Sequence, residues 1–322
     1  MPYVIGTDEA GYGPNLGPLL VAATVWKMSH KPHDVDLYQV LSNAVCSAPN
    51  NRADTRLVIA DSKHVYKSGN GLDALERGVL ATLLNVNRSL TFESAKIWNA
   101  LESCHAQHRE SVPWPVDVAE PFPLAASHAD VQTAANNLLS NCATANVAIL
   151  RMRAKAIYPG EFNELTERLG SKGELLSRTT LQLVADLIGE LDPAESVLIL
   201  CDKHGGRKCY GGLLQDVFSD HFVEVMGETQ TESRYRWGPP ERRTEIRFRV
   251  RGEAFLPVAL ASMTAKYLRE LAMRAFNDFW RKHVSDVRPT AGYPVDAKRF
   301  KAAIAAAQRK LQIDDQVLWR KR

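Results

Sequence analysis

The sequence has no apolar run of membrane-span length, no secretory signal at its N-terminus, no internal repeat and no low-complexity tract. The first two absences argue against a membrane-spanning or secreted chain and set the expectation of a cytoplasmic one. Charge of one sign is also nearly missing, with 40 Lys and Arg against 37 Asp and Glu, a net +3 at pH 7. So small a surplus excludes a globally basic nucleic-acid binder and leaves any such face to local clustering. Cysteine is sparse: five residues without regular spacing read as reduced thiols rather than a disulfide framework. Cys104, His105 and His108 fall short of the four ligands of a structural zinc. Cys201, His204 and Cys209 fare no better, because strand alternation sends Cys201 and Asp202 to opposite faces. What the chain does have is 322 residues with 45% hydrophobic content, enough for a sizeable core.

The organising stretch is Tyr3 to Pro14. An apolar run delivers two adjacent carboxylates, Asp8 and Glu9, into a loop with glycines at 11 and 13. A strand that carries acids into a glycine-rich loop suits a metal or phosphate site, since glycine lets backbone approach a ligand closely. The same residues would also serve as a solvated surface turn. Ser196–Cys201 repeats the logic: it is the clearest buried strand, and it leads Asp202 into a glycine-containing loop. If the two strands lie side by side, Asp8 and Asp202 become neighbours.

Between them the pattern reads as a strand over Leu19–Trp26, helical content around Val35–Val45, and a short apolar run at Leu57–Ala60. Asp61-Ser62-Lys63 by itself is a turn with a helix cap. Helices are expected over Leu72–Leu84, Val131–Leu139, Phe162–Leu169 and Leu175–Leu191, and a strand over Val147–Ala154. A strand is expected over His221–Met226, and Trp237 to Pro240 reads as a turn. Thr244–Arg251 alternates strictly, with Ile246, Phe248 and Val250 on one face and Arg247, Arg249 and Arg251 on the other. Those arginines form a solvated outer face or a basic stripe for phosphates. A long helix follows from Ala254 to Trp280, with Ser262 and Lys266 on one face. The closing Trp319-Arg320-Lys321-Arg322 reads as a contact for nucleic acid or as a frayed end.

Five of these segments, in order, resemble the motifs of the type 2 ribonucleases H, the ribonucleases HII and HIII. Gly6-Thr7-Asp8-Glu9-Ala10-Gly11-Tyr12-Gly13-Pro14 with Gly17-Pro18-Leu19 looks like the family's opening motif. Asp61-Ser62-Lys63 is similar to its Asp-Ser-Lys triplet, and Asp202 fits its third catalytic aspartate. Pro257 to Lys266 resembles a segment of small residues ending in Ala-Lys, preceded four positions before the proline by the fourth acid, here Glu253. Ribonucleases HII usually carry Asp there and ribonucleases HIII carry Glu. Gly292-Tyr293-Pro294 is similar to a motif whose tyrosine stacks on a sugar near the cleaved bond. Tyr12 departs from the pattern, standing where the family usually has Arg or Lys in a loop that reads the ribose 2′-hydroxyl largely through backbone.

The resemblance implies a ribonuclease H-like α/β fold: a mixed central sheet with helices on both faces and C-terminal helices. It implies one domain over 1–322, with an insertion or elaboration at about 85–160 that it does not account for. The implied activity is metal-dependent hydrolysis of the RNA strand of RNA–DNA hybrids by a monomer. Asp8, Glu9, Asp202 and Glu253 would be both catalytic residues and ligands of Mg²⁺ or Mn²⁺, since clustered carboxylates need counter-charge and oxygen donors suit such ions. Gly11, Tyr12, Gly13, Ser62, Lys63, Lys266 and Tyr293 would contact substrate. The rival expectations are a non-catalytic nucleic-acid-binding relative and a metal-dependent nuclease acting on a different nucleic acid. Adjacent strand residues diverge, so Asp8 and Glu9 are expected to cooperate only if the strand has ended there.

Overall fold

The first apolar run becomes the middle of a seven-stranded sheet. The computed structural model describes residues 1–29, 36–49, 54–66, 71–102 and 111–321. Cys104, His105 and His108 lie outside them. Strand β1 (Tyr3–Ala10) pairs antiparallel with β2 (Leu19–Met28), from Tyr3↔Lys27 to Ala10↔Leu20. On its other side β1 runs parallel to β6 (Val197–Asp202), from Tyr3↔Val197 to Thr7↔Cys201, as the side-by-side expectation requires. β6 in turn runs parallel to β9 (Thr244–Arg249). With β5 (Val147–Ile157), β7 (Glu224–Glu228) and β8 (Glu232–Trp237), the order across the sheet is β5-β2-β1-β6-β9-β8-β7. Two short strands, β3 (Val45–Cys46) and β4 (Leu57–Val58), form a separate parallel pair. The mixed sheet is thus antiparallel at both flanks and parallel at its centre.

One face of the sheet carries the long helix Leu256–His283. Its start lies directly on β1 and β2, because Gly6 has no side chain: a Cβ there would collide with the Pro257 carbonyl and the Val258 nitrogen. Thr24 completes the seat by donating its hydroxyl to the Pro257 carbonyl at 2.9 Å. This helix packs with the helices Leu72–Val86 and His128–Thr144 around Val4, Leu20, Trp26, Met263 and Trp280. The stretch at about 85–160 therefore supplies β5 at the sheet edge and a helix to this core. Glu76, fully buried, ties it down by accepting from the amides of Leu124, Ala125 and Ala126 and from the Tyr267 hydroxyl.

The opposite face is covered by the helices Lys172–Gly189 and Gly211–Val217 over Ile5, Val25, Ile199, Tyr235 and Phe248. Helices on both faces, and the further helices Pro294–Lys310 and Asp315–Leu318, agree with the expected layout. No helix among the described residues is long and apolar enough to cross a membrane.

Several boundaries differ from expectation for physical reasons. Helical content near Val35–Val45 reduces to Leu37–Val40, capped by Asp36. β8 was not legible as a strand, because Glu232, Arg234 and Arg236 dominate its composition; its inward set is Ser233, Tyr235 and Trp237, all buried. Val250 does not continue the inward face of β9: it is 47% exposed, because the strand ends at Arg249 and Arg251 turns left-handed with φ 62°. The segment Asp314–Arg320 is not frayed, since Arg320 is 1% exposed.

Candidate active site

The candidate residues gather at the carboxyl end of the parallel centre of the sheet, the usual place for a ligand in such an arrangement. The β1–β6 ladder stops at Thr7↔Cys201, whereas the β1–β2 ladder continues to Ala10. Asp8 and Glu9 thus lie on a strand that has not ended, contrary to the expectation, but one that has lost its neighbour on the β6 side. Glu9 donates its amide to Asp8 Oδ1 at 2.8 Å, and both carboxylates feel the charges of Asp202 and Glu253. Asp202 ends β6 and accepts from the Gly252 amide at 2.9 Å. That approach needs a glycine, since a Cβ at 252 would sit 3.0 Å from the Asp202 backbone. The next residue, Glu253, rides on the 3-10 turn Gly252–Ala254, so it is not yet part of the long helix.

All four carboxyls bind their protons more tightly than usual, and burial is the leading cause for each. For Asp8, well above the ordinary range, the charges of Glu9, Glu253 and Asp202 add to burial, while a hydrogen bond from Ser262 opposes them. Glu9 is raised to about 7 by burial, Asp202 and Glu253, against Lys63. Burial outweighs the backbone amides that hold Asp202, and Asp61 adds to it. Glu253 is raised by burial, Asp202 and Asp61. The same negative field raises Lys63 as well: although partial burial opposes it, its pKa rises beside Asp61, Glu253, Asp8 and Asp202, which favours its charged form. One ammonium thus faces five carboxylates. Among the described residues no group of three or more His, Cys, Asp or Glu is arranged to hold a metal ion as it stands. Like charge and desolvation both oppose closer approach of these acids without added cations.

The remaining expected residues divide into two sets. Tyr12 and Lys63 lie in the field of the acids, and the loop of Gly11 and Gly13 follows Glu9 and carries Tyr293 against it. Gly11 has φ 87° and Gly13 lies against the Tyr293 ring. The 292 backbone carbonyl accepts from Asn15 and Leu16 amides at 2.8 and 3.3 Å, which locks the Tyr293 segment to the glycine loop. Tyr12 packs under Lys172, whose ammonium stands 4.7 Å from the ring centre. Ser62 and Lys266 are placed differently. Ser62 is buried and hydrogen-bonded to Ser262 at 3.0 Å, so it supports Asp8 from behind. Lys266 is ion-paired with Glu270 and lies 4.3 Å from the ring centre of Tyr66. The arginine stripe is partly spent too, as Arg247 pairs with Glu245 at 2.6 Å.

Asp61 and Ser262 were not singled out as site residues from the sequence. Both sit inside segments that were, and the signal for each is position: Asp61 caps the turn that carries Lys63, and Ser262 lies one helical turn before Lys266. His204 belongs to the opposite core, where its Nδ1 lies 3.0 Å from the Ser177 hydroxyl and burial holds its pKa down to about 3.

No protein-family model matches the chain, and no curated protein does. Among solved structures it is similar to Bst-RNase HIII in complex with Mn²⁺, with 17% identity over 99% of this chain and 66% of that one, at a TM-score of 0.43. The chain thus spans just under two thirds of that protein's length. It is also similar to the ribonuclease H2 of Pyrococcus horikoshii OT3, with 15% identity over 98% of this chain and 92% of that one, at a TM-score of 0.41. The RNase H3 of Aquifex aeolicus matches with 13% identity over 98% of this chain and 70% of that one, at a TM-score of 0.43.

Proposed function

We propose that this chain is a type 2 ribonuclease H, a divalent-cation-dependent endonuclease that hydrolyses the RNA strand of RNA–DNA hybrids. The observation that carries the reading is the convergence of Asp8, Glu9, Asp202 and Glu253, from the ends of three parallel strands, beside the glycine loop and Tyr293. The mutual fields of the four acids and of Lys63, which come from segments that resemble the family's motifs, support this reading. The donor set fits Mg²⁺ or Mn²⁺: it is all carboxylate, partly desolvated, and short of positive charge. Asp8 and Asp202 would be the central ligands, with Glu9 and Glu253 completing the set. Such ions, when bound, supply counter-charge and a water of lowered pKa.

The chain's own groups do the rest. Lys63 offers a point charge to a substrate phosphate beside the acids. Ser262 and Ser62 hold Asp8, and the Gly252 amide holds Asp202, so the carboxylates would receive a cation with little reorganisation. The glycine loop lets backbone reach the sugar, and Tyr293, 58% exposed, offers its ring to a neighbouring one. A water oxygen then bonds to phosphorus as the bond to the leaving oxygen breaks. Lys266 is held by Glu270 and Tyr66, so it would have to leave that pair to reach a phosphate.

The test is cleavage of matched RNA–DNA, RNA–RNA and DNA–DNA duplexes with Mg²⁺ or Mn²⁺. Cutting confined to the RNA of the hybrid is expected. Asp202→Asn should lower turnover by orders of magnitude while hybrid binding persists. Binding without cutting by the wild-type protein would favour the non-catalytic relative, and cutting of DNA–DNA would favour the nuclease of different substrate.

A further inference from the structure

Two buried guanidinium groups lie beneath the glycine loop, and neither has an ion-paired carboxylate among the described residues. Arg269, on the long helix, donates to the carbonyls of Leu16 at 3.1 Å and Ala291 at 3.2 Å. Arg320 comes from the segment after Asp315–Leu318 and stacks on Phe162, its guanidinium carbon 4.5 Å from the ring centre. Its Nε donates to the Pro14 carbonyl at 3.0 Å, and its Nη2 to the carbonyls of Gly11, at 2.5 Å, and Pro14. Arg269 Nε and Arg320 Nη1 are buried without a hydrogen-bond partner. The segment is threaded in by its backbone as well: Arg320 N donates to the Asn15 carbonyl at 2.8 Å, and Asn15 Nδ2 to the Arg320 carbonyl at 3.2 Å.

A buried cation beside another cation is a poor device for stability, and a well-packed apolar side chain would serve stability better. What Arg320 supplies is a fork of donors at fixed angles. A trans peptide points its N–H opposite to its C=O. Holding the Gly11 carbonyl down therefore turns the Tyr12 N–H up, away from Arg320. Holding the Pro14 carbonyl down turns the Asn15 N–H the other way, onto the Gly292 carbonyl at 2.8 Å. The amides of Tyr12 and Gly13 donate to nothing among the described residues. One side chain thus orients the free amide of the loop and joins the loop to the Tyr293 segment.

We propose that Arg320 is a positioning residue: it aims the Tyr12 amide at the sugar of the bound strand, and so sets the preference for ribose over deoxyribose. This rests on the hybrid-cleaving reading of the site, and the experiment separates the two. Arg320→Met keeps an apolar stem on Phe162 and removes the donors; Arg320→Lys keeps one donor without the fork. Both are made in the full chain carrying Asp202→Asn, where no cleavage depletes the substrate. Binding is measured to an RNA–DNA hybrid and to the matched DNA–DNA duplex, and amide exchange is followed across residues 11–16.

Arg320→Met should weaken hybrid binding about tenfold, roughly one neutral hydrogen bond, and leave DNA–DNA binding within about twofold. Arg320→Lys should recover part of the loss, and exchange at Asn15, whose amide is held on the Gly292 carbonyl, should rise in Arg320→Met alone. Equal losses on both duplexes, or no loss, would overturn the proposal. If the Asp202→Asn parent does not itself prefer the hybrid, the functional reading fails. Exchange then decides the strap alone, and unchanged protection of Asn15 in Arg320→Met overturns it. Should Arg320→Met fail to fold, Arg320→Lys carries the same comparison.

Discussion

At the scale of single residues, the acids divide into those whose role local sequence could suggest and those it could not. Asp8 and Asp202 were legible because each follows an apolar run and leads into a glycine-containing loop. Glu253 was legible only through family resemblance, since an acid before a helix is commonly a dipole partner. The structure puts it in the field of Asp202, Asp61 and Lys63. Glu253→Gln is therefore expected to lower turnover and raise the divalent-cation concentration for half-maximal activity, while thermal stability without metal holds or rises. A helix-end role would instead cost about 0.3–1 kcal/mol of stability and leave metal dependence unchanged. Arg320 was misread, because a basic and aromatic terminus looks solvated. What buries it is a set of loop carbonyls more than three hundred positions away, which no local pattern reports.

The same residues make a pH prediction whose sign follows from linkage. The folded pKa of Glu9, about 7, lies above its ordinary value of 4.5. The folded protein then holds a proton that the unfolded chain releases, so this group's contribution to stability falls as pH rises from 4.5 through 7. His204 acts in the opposite sense below 6.5, because its folded pKa is depressed to about 3. The observable is the difference between wild type and Glu9→Gln without metal. The variant should gain melting temperature relative to wild type as pH goes from 5 to 8. A constant offset across that range would remove Glu9 from the buried cluster.

At the scale of elements, the strands that build the site were the readable ones, and the connections were not. β1 and β6 announce themselves by unbroken apolar runs because both are covered on two faces. β8 hides behind its outward charges. The seat of the long helix on β1 was invisible, since nothing in the sequence says that Gly6 is the contact point. Gly6→Ala should cost about 1–3 kcal/mol in urea unfolding, the usual range for overpacking. The added methyl meets backbone that shifts only if the helix moves. The helix carries Ser262, so cleavage should fall by more than the folded fraction does. A variant with wild-type stability would mean that helix and strand are not in backbone contact.

At the scale of the whole molecule, the site draws on residues 8–9, 61–63, 202 and 253, so whatever binds there links distant parts of the chain. Mg²⁺ or Mn²⁺ should raise the melting temperature in a concentration-dependent way, because an ion that binds only the assembled site stabilises by mass action. Asp202→Asn should blunt the rise, and an equal rise in the mutant would place the ions elsewhere. The parallel junction at the centre of the sheet has a further consequence, for folding rather than chemistry. β1 meets β2 almost at once during synthesis, but its other edge stays bare until Val197–Asp202 has been made. Such closure is slow, since a long loop must be ordered before the contact rewards it. In the interval the nascent chain carries an open, apolar strand edge, the kind of surface that recruits chaperones or a second copy of itself.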